Sequence, residues 1–192
     1  MDNTTIIIIA AVIVVVIVAG IMLMQRRRTQ QLQSRFGPEY EHALKETGNK
    51  SKAEAELAER EKRVEKLDIR PLDPSERERF AGEWQRVQAE FVDDPEHSIR
   101  DADLLLQEVM TARGYPVKDF EQVAADVSVD HPGVVQHFRT AHDIAVRHGR
   151  GEGDTEDLRN AMINYRALFD DLVTKADEGD AEASHRRTTE HA

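Results

Sequence analysis

Residues 154–172 read DTEDLRNAMINYRALFDDL, and this stretch indicates the fold class of the chain most clearly. Its apolar side chains recur every three or four positions, so they share one face of a helix. They are Leu158, Met162, Tyr165, Leu168, Phe169 and Leu172. Asp154 stands just before Thr155-Glu156-Asp157, where a capping residue is expected. The stretch therefore predicts an amphipathic helix that buries one face in a core.

Similar start and stop signals occur upstream of this helix. Asp73-Pro74-Ser75-Glu76 supplies a capping aspartate, a proline at the first helical position and a glutamate at the third. Asp94-Pro95 repeats this start, His131-Pro132 is a looser version, and Gly114 and Gly149 mark helix ends. The apolar residues between these signals have helical spacing: Phe80, Trp84, Val87 and Phe91; Ile99, Leu105, Leu106, Val109 and Met110; Phe120 and Val123; and Val134, Phe138, Ala141 and Ala145.

These patterns predict an all-α fold class, because no segment of useful length alternates as a strand does. We expect residues 68–176 to form a bundle of about five helices around one core. The helix that contains Phe120 should run roughly from Val117 to Val127. The polar residues 177–192 are expected to be a disordered tail.

Residues 29–67 are predicted to form charged spacer helices ahead of the bundle. The first break is Gly37-Pro38, and Glu39–Thr47 has the pattern of a short helix closed by Gly48. The next stretch, Ser51–Leu67, is rich in alanine and charged residues and has only a thin apolar stripe. We favour a solvated spacer helix here. The alternative is a short coiled coil or partner-binding helix, although these 17 residues hold barely two heptads.

Residues 1–28 contain a long uncharged run. Ile6–Met24 comprises 19 consecutive residues with no charged or polar side chain. As a helix this run would be about 28 Å long, close to the ~30 Å hydrocarbon core of a bilayer. We therefore predict a single-pass transmembrane anchor that places the protein at the cell membrane, with membrane lipid contacting Ile6–Met24.

Three arginines set the expected orientation of this anchor. Arg26, Arg27 and Arg28 follow the apolar run directly, and positive charge stays on the cytoplasmic side. The domain behind them is therefore expected to face the cytoplasm. The alternative is a signal peptide cleaved near Val18-Ala19-Gly20, which would leave an exported protein. We favour the anchor, because residues 1–5 carry no positive side chain.

The composition excludes several classes of function. The formal net charge is −11, from 37 acids and 26 bases. Residues 1–28 hold one acid and three bases, which leaves 36 acids, 23 bases and a net charge of −13 for the remainder. A domain this acidic is repelled by phosphate backbones, so we expect no nucleic-acid partner. The absence of cysteine excludes disulfides, thiolate catalysis and cysteine-based zinc sites.

Four histidines in or beside one predicted helix raise the question of a metal site. His131, His137, His142 and His148 are five or six residues apart, whereas zinc-binding pairs on a helix are usually four apart. His137 and His148 share a face but would lie about 16 Å apart along the axis. We favour histidines at the edges of the buried face. A composite site with other helices is the alternative.

The remaining patterns indicate no catalytic, cofactor-binding or metal-binding residues. The loop Gly149–Asp154 precedes a helix but lacks the lysine and hydroxyl of a phosphate-binding loop and the spacing of an EF-hand. Trp84 is most simply a core residue, and a stacking platform is the alternative. Adjacent acids such as Asp93 and Asp94 are expected by chance in so acidic a chain. We predict that the protein is not an enzyme and needs no cofactor.

Several short stretches of the chain resemble an uncharacterised family of bacterial membrane-anchored helical proteins. They are Arg60–Arg70, Leu72-Asp73-Pro74-Ser75-Glu76-Arg77, Gln88-Ala89-Glu90-Phe91-Val92-Asp93, Arg113-Gly114-Tyr115-Pro116 and Val129-Asp130-His131-Pro132. The similarity covers about residues 35–175. It implies a bacterial origin and a helical domain. The family has no known activity, so the resemblance transfers no functional residue.

Together these observations favour a membrane-tethered, non-enzymatic helical module that contacts a protein partner. The rival is a small-molecule sensor or enzyme with a pocket between the bundle helices. An exposed apolar groove would favour the interaction module. A deep cavity with converging histidine, arginine and carboxylate side chains would favour the sensor or enzyme.

Overall fold

The computed structural model describes the backbone of residues 3–174 and the side chains of residues 12, 13 and 15–174. The predicted tail 177–192 lies outside the described residues. The described residues form helices and no strand, which confirms the predicted all-α fold class. The eight helices are α1 (Asn3–Phe36), α2 (Pro38–Thr47), α3 (Lys50–Val64), α4 (Pro74–Glu90), α5 (Pro95–Arg113), α6 (Phe120–Asp130), α7 (Val135–Gly149) and α8 (Thr155–Val173).

The chain divides into two compact units, Met1–Ala58 and Glu59–Ala192. The division falls within α3, whose last turns belong to the second unit. The first unit contains α1, α2 and most of α3. The second contains α4–α8 and carries the bundle core.

In the first unit, glycines shape the ends of α2. Gly37, with φ of 49°, separates α1 from α2, and Gly48 closes α2 in the left-handed region with φ of 61°. Two hydroxyls bind the same carboxylate oxygen of Glu54: Thr29 at 2.7 Å and Tyr40 at 3.0 Å. Burial raises the pKa of Tyr40 to about 12, and the hydrogen bond to Glu54 acts in the same direction.

The side chains of α1 are exposed over most of its described apolar part. From Val12 to Met24 the described large apolar side chains are between 50% and 74% exposed. Across the described residues, we find no helix whose length and apolar character suffice to cross a membrane. The predicted anchor falls partly outside that range, because the side chains of residues 6–11 and 14 are not among those described.

The core of the second unit is built around α8, which packs against α7, α5 and α4. Its predicted stripe is buried, with Leu168 and Leu172 fully inaccessible to solvent. Trp84 is 4% exposed, as expected for a core residue. Its ring stacks on Phe169 with a centroid distance of 4.7 Å and an interplanar angle of 13°. Helical periodicity therefore identified the buried face of α8 correctly.

The helix starts follow the capping signals in the sequence. Asp73 and Glu76 form a reciprocal capping box at α4, and Asp154 and Asp157 form another at α8. The backbone N–H of Glu76 lowers the pKa of Asp73, while the Arg70 guanidinium lowers that of Glu76. Gly114 ends α5 with φ of 98°, and a Cβ there would lie 2.3 Å from the carbonyl oxygen of Asp68. Only glycine fits this position.

Two helix starts differ from the prediction. The helix expected from Val117 begins at Phe120. The start expected at His131-Pro132 is a turn, in which the His131 carbonyl accepts the N–H groups of Val134 and Val135 at 3.2 and 3.3 Å. Helix α7 therefore begins only at Val135. Similarly, the spacer helix predicted to reach Leu67 ends at Val64.

A polar contact joins the end of α3 to α6 within the second unit. The Nε of Arg63 donates to Asp126 Oδ1 at 2.7 Å, and Gln122 donates to the same oxygen at 3.0 Å. The Asp126 side chain is fully buried, whereas that of Arg63 is 36% exposed. Arg60 also donates to the Ser128 hydroxyl, at 3.3 Å. The last turns of α3 thus act as part of the bundle.

Candidate functional site

A small cleft opens between α5, the α5–α6 loop, α6 and α7, and we name it the α5–α7 cleft. Its volume is about 180 Å³. It combines apolar and polar side chains in one concave surface, as small-molecule sites do. The lining residues are Asp103, Gln107, Met110, Val117, Lys118, Asp119, Phe120, Val123, Phe138 and His142.

Aromatic rings form one wall of the cleft. The ring of Phe120 stacks on the imidazole of His142 with centroids 3.6 Å apart and planes 9° apart. Phe120 also contacts Phe138, at a centroid distance of 4.8 Å and an angle of 48°. Because α6 and α7 each contribute to this wall, their packing fixes its shape.

Asp103 is the polar centre of the cleft. Its Oδ1 accepts from the Tyr165 hydroxyl at 2.9 Å, and its Oδ2 accepts from Gln107 Nε2 at 2.7 Å. Tyr165 is fully buried on α8, and burial, reinforced by the Asp103 charge, raises the pKa of its hydroxyl far above the ordinary value. The hydroxyl therefore stays protonated and remains a donor. Both contacts hold the carboxylate in place without neutralising it.

Charged side chains of both signs stand at the mouth of the cleft. Lys118 and Asp119 are exposed and belong to the loop before α6. Asp119 occupies the N-cap position of α6, yet its side chain makes no capping hydrogen bond. Its carboxylate therefore does not cap α6.

A second polar cluster lies where α5, the α6–α7 turn and α8 meet. His131 Nδ1 is 2.7 Å from Asp171 Oδ2, and His131 Nε2 is 3.2 Å from Arg113 Nη1. The same Nη1 donates to the Leu172 carbonyl at 3.1 Å. Arg113 is only 2% exposed. The side chains of His131 and Asp171 are 10% and 18% exposed. We name Arg113, His131 and Asp171 the buried triad, after the buried arginine.

The geometry of the buried triad assigns the histidine tautomer. Arginine only donates hydrogen bonds, so Nε2 of His131 must accept and its proton must lie on Nδ1, which donates to Asp171. A histidine that acts as a general base needs one nitrogen directed at a substrate. In His131 both nitrogens face protein groups. The triad therefore connects α5, the α6–α7 turn and α8, and neither nitrogen of His131 is directed at a reactant.

The four histidines considered as metal ligands each contact a different residue. His142 stacks on Phe120, His137 Nδ1 lies 2.7 Å from Asn164 Oδ1, and His148 Nδ1 lies 3.9 Å from Glu96. With His131 in the buried triad, each therefore has its own neighbour. Within the described residues, the groups of three or more potential metal ligands whose atoms lie within 4.8 Å of one another include none of these four histidines.

One group of three potential metal ligands, which was not predicted from the sequence, does have its ligand atoms close together. Glu90, His97 and Asp101 bring one ligand atom each within 4.8 Å of one another. His97 Nε2 lies 3.8 Å from Glu90 and 3.4 Å from Asp101. The i,i+4 spacing of His97 and Asp101 was the available signal. Glu90 and His97 are exposed and Asp101 is half-buried, and exposed acidic groups of this kind are common without a metal ion.

Two other predicted features have structural roles. The loop Gly149–Asp154 turns through Gly151 and Gly153, whose φ values are 79° and 117°, and ends at the α8 capping box. It thus provides the turn and cap predicted for it. Arg26, Arg27 and Arg28, the residues expected to determine topology, are exposed within α1 directly after the apolar run.

The hydrogen bonds that Gln107 and Tyr165 donate to Asp103 were not predicted from the sequence. The available signal was a single acid directly before the apolar residues Leu104–Leu106. Tyr165 appeared only as a member of the α8 stripe, since its hydroxyl has no effect on periodicity.

Comparisons of the chain with family models, curated proteins and solved structures found no match.

Proposed function

We propose that this protein is a single-pass, membrane-tethered helical module without enzymatic activity, which holds its acidic bundle beside a protein partner. The exposed apolar surface of α1 carries this proposal. Ten described large apolar side chains between residues 12 and 24 are at least half exposed. A continuous apolar surface of this kind is unfavourable in water and marks a site of membrane or protein contact.

The sequence of α1 favours lipid as the environment of that surface. The uncharged run Ile6–Met24 has no polar face, and a helix that is apolar on all sides belongs in a core or a bilayer. Arg26, Arg27 and Arg28 then favour a position of the following domain on the cytoplasmic side of a bacterial membrane. Helix α1 is 34 residues long and continues beyond the arginines to Phe36.

Two features favour a contact role for the bundle over catalysis. The buried triad, which has the residue types of an acid–base site, uses both histidine nitrogens internally. The net charge of −13 beyond residue 28 repels nucleic acid and anionic headgroups and favours a partner with a basic surface. Exposed apolar side chains on the bundle, such as Leu104 and Ile163, provide additional contact area.

The orientation and the partner can be tested together in cells. Protease added to intact spheroplasts should leave residues 35–192 uncut, and cleavage there would show the reverse orientation. A photo-crosslinking residue at Val92, which is 83% exposed, should yield a discrete protein adduct in membranes. The same residue in a chain lacking residues 1–28 should yield much less. No adduct from Val92, Leu104 or Ile163 would contradict the contact role.

A second candidate function rests on the α5–α7 cleft. A concave site with an apolar wall and a fixed carboxylate is typical of small-molecule recognition. In that case the bundle would sense a ligand beside the membrane. The contact role and the sensing role are compatible, because the cleft uses only the first turn of α6 and two residues of α7, Phe138 and His142.

A further inference from the structure

We propose that the α5–α7 cleft binds a small organic cation, namely a primary amine attached to an apolar body about the size of a benzene ring. This inference deepens the second candidate function and rests on it. It uses three properties of the cleft: its volume, the unneutralised charge of Asp103 and the apolar residues beside that charge.

The volume limits the ligand to few atoms. A cavity of about 180 Å³ is smaller than the roughly 300–1,000 Å³ of drug-sized sites. It is slightly larger than a cavity of about 150 Å³, which holds one benzene molecule. One ring or a short branched chain with a single polar head therefore fills it.

The charge of Asp103 determines the sign of the ligand. Within the described part of the chain, its carboxylate meets two donors, the Tyr165 hydroxyl and the Gln107 amide, and both are neutral. Each oxygen can accept further hydrogen bonds, and an ammonium group supplies three donors and the missing positive charge. Asp119 adds a second negative charge at the mouth. An anionic ligand would be repelled by both carboxylates.

The apolar residues determine the rest of the ligand. Val117 and Phe120 are partly exposed and line the cleft with Asp103, and the buried side chains of Met110, Val123 and Phe138 complete the apolar lining. A hydrated metal ion would gain nothing from Val117 and Phe120, whereas an apolar body would displace water from them. The Phe120 ring, stacked on His142, gives the apolar wall a fixed shape. This combination selects an amine with an apolar body over a bare cation.

Lys118 is the one positive side chain of fixed charge that lines the cleft in the described residues. It is exposed at the mouth, so its ammonium group competes with a bound amine for the same carboxylates. Removing this charge should therefore strengthen the binding of a cation. It should weaken the binding of an anion.

The test compares three ligands of nearly equal size on the full-length protein in uncharged detergent micelles. Benzylamine is cationic, benzyl alcohol is neutral and phenylacetate is anionic at neutral pH. Binding is followed by NMR of ¹³C-labelled methionine methyl groups, with the Met110 signal assigned through Met110→Leu. Met110 reports on the cleft, so partition of a ligand into micelles does not shift its signal in a saturable way.

Benzylamine should shift the Met110 signal saturably, with an affinity at least about tenfold higher than that of benzyl alcohol. Phenylacetate should cause no saturable shift. Asp103→Asn should weaken benzylamine binding about tenfold or more, because it removes the charge but keeps an oxygen for Tyr165. Lys118→Met should bind benzylamine at least as tightly as the natural protein.

Equal affinities for benzylamine and benzyl alcohol would overturn the inference, as would no saturable shift with benzylamine. The ligand series is measured on the unaltered protein, so it decides the question even if Asp103→Asn does not fold. Saturable binding of phenylacetate instead would overturn the amine assignment while leaving the cleft as a ligand site. Failure with all three ligands would count against the second candidate function as well.

Discussion

Helices α1 and α8 are both rich in large apolar side chains, but they hold these side chains in opposite environments. In α8 the residues Leu158, Leu168 and Leu172 are at most 3% exposed, because α4, α5 and α7 cover them. In α1 the side chains of Val16 and Met24 are 64% and 74% exposed. The number of apolar residues therefore does not decide whether the protein buries them.

The arrangement of the residues explains the difference. One face of α8 is apolar, while the opposite face carries exposed residues such as Arg159 and Arg166. Such a helix can bury its whole apolar face by packing on one side of a bundle. The apolar run of α1 has no polar face, so packing on one side would leave the remainder in water. A bilayer covers every side, and this is why the proposed function assigns α1 to lipid.

The largest expected effect tests the burial of apolar side chains against α8. Trp84→Ala should cost about 3–5 kcal/mol, because it leaves a cavity against the Phe169 ring. The measurement is urea unfolding of a chain of residues 29–192, followed by circular dichroism. Trp84→Phe is the control and should cost far less, because it keeps a ring and removes an indole N–H that has no hydrogen-bond partner. A loss below ~1 kcal/mol for Trp84→Ala would assign Trp84 to the surface.

A matched pair of aspartate substitutions tests the environment of the exposed apolar side chains of α1. Val16 and Ile163 are 64% and 61% exposed, so in water both substitutions should be nearly neutral. In a bilayer Val16→Asp should cost about 2.5–3.5 kcal/mol of insertion free energy. We expect Val16→Asp to reduce the membrane-bound fraction and Ile163→Asp to leave it unchanged. Equal behaviour of the two variants would remove the distinction between α1 and α8.

Polar contacts inside the second unit are expected to have intermediate effects. Arg63→Ala leaves the fully buried Asp126 carboxylate without its cation and should cost about 1–3 kcal/mol, since Arg63 itself is partly solvated. Arg147→Ala removes an exposed pair with Asp143 and should cost less than ~0.5 kcal/mol. Urea unfolding of the same 29–192 chain compares them. Equal costs would contradict the assignment of the α3 end to the bundle.

The smallest effects concern helix caps. Asp94 accepts a hydrogen bond from the His97 N–H at 3.0 Å, so Asp94→Ala should cost about 1 kcal/mol. Asp119 has the same position at α6 but makes no capping bond, so Asp119→Ala should cost less than ~0.5 kcal/mol. Thermal unfolding distinguishes the two. A larger loss for Asp119→Ala would show that its side chain stabilises α6.

Much of the helical fold could be predicted because its signals are local. The sequence signals for the cap at Asp73, the helix end at Gly114 and the apolar face that contains Trp84 each lie within a few residues of the position concerned. The polar clusters depend on residues far apart in the chain, such as Arg63 with Asp126 and Tyr165 with Asp103. Periodicity assigns a residue to a face but does not pair one face with another. For that reason the cleft and the buried triad were not predicted.

The proposed membrane-tethered function requires that α1 lies in lipid. The decisive measurement is alkaline carbonate extraction of cell membranes that contain the full chain, with a chain of residues 29–192 as the control. We expect the full chain to remain in the membrane pellet with its natural N-terminus, while the control is found in the supernatant. Release of the full chain by carbonate, or a mature N-terminus near Ile21, would contradict this proposal.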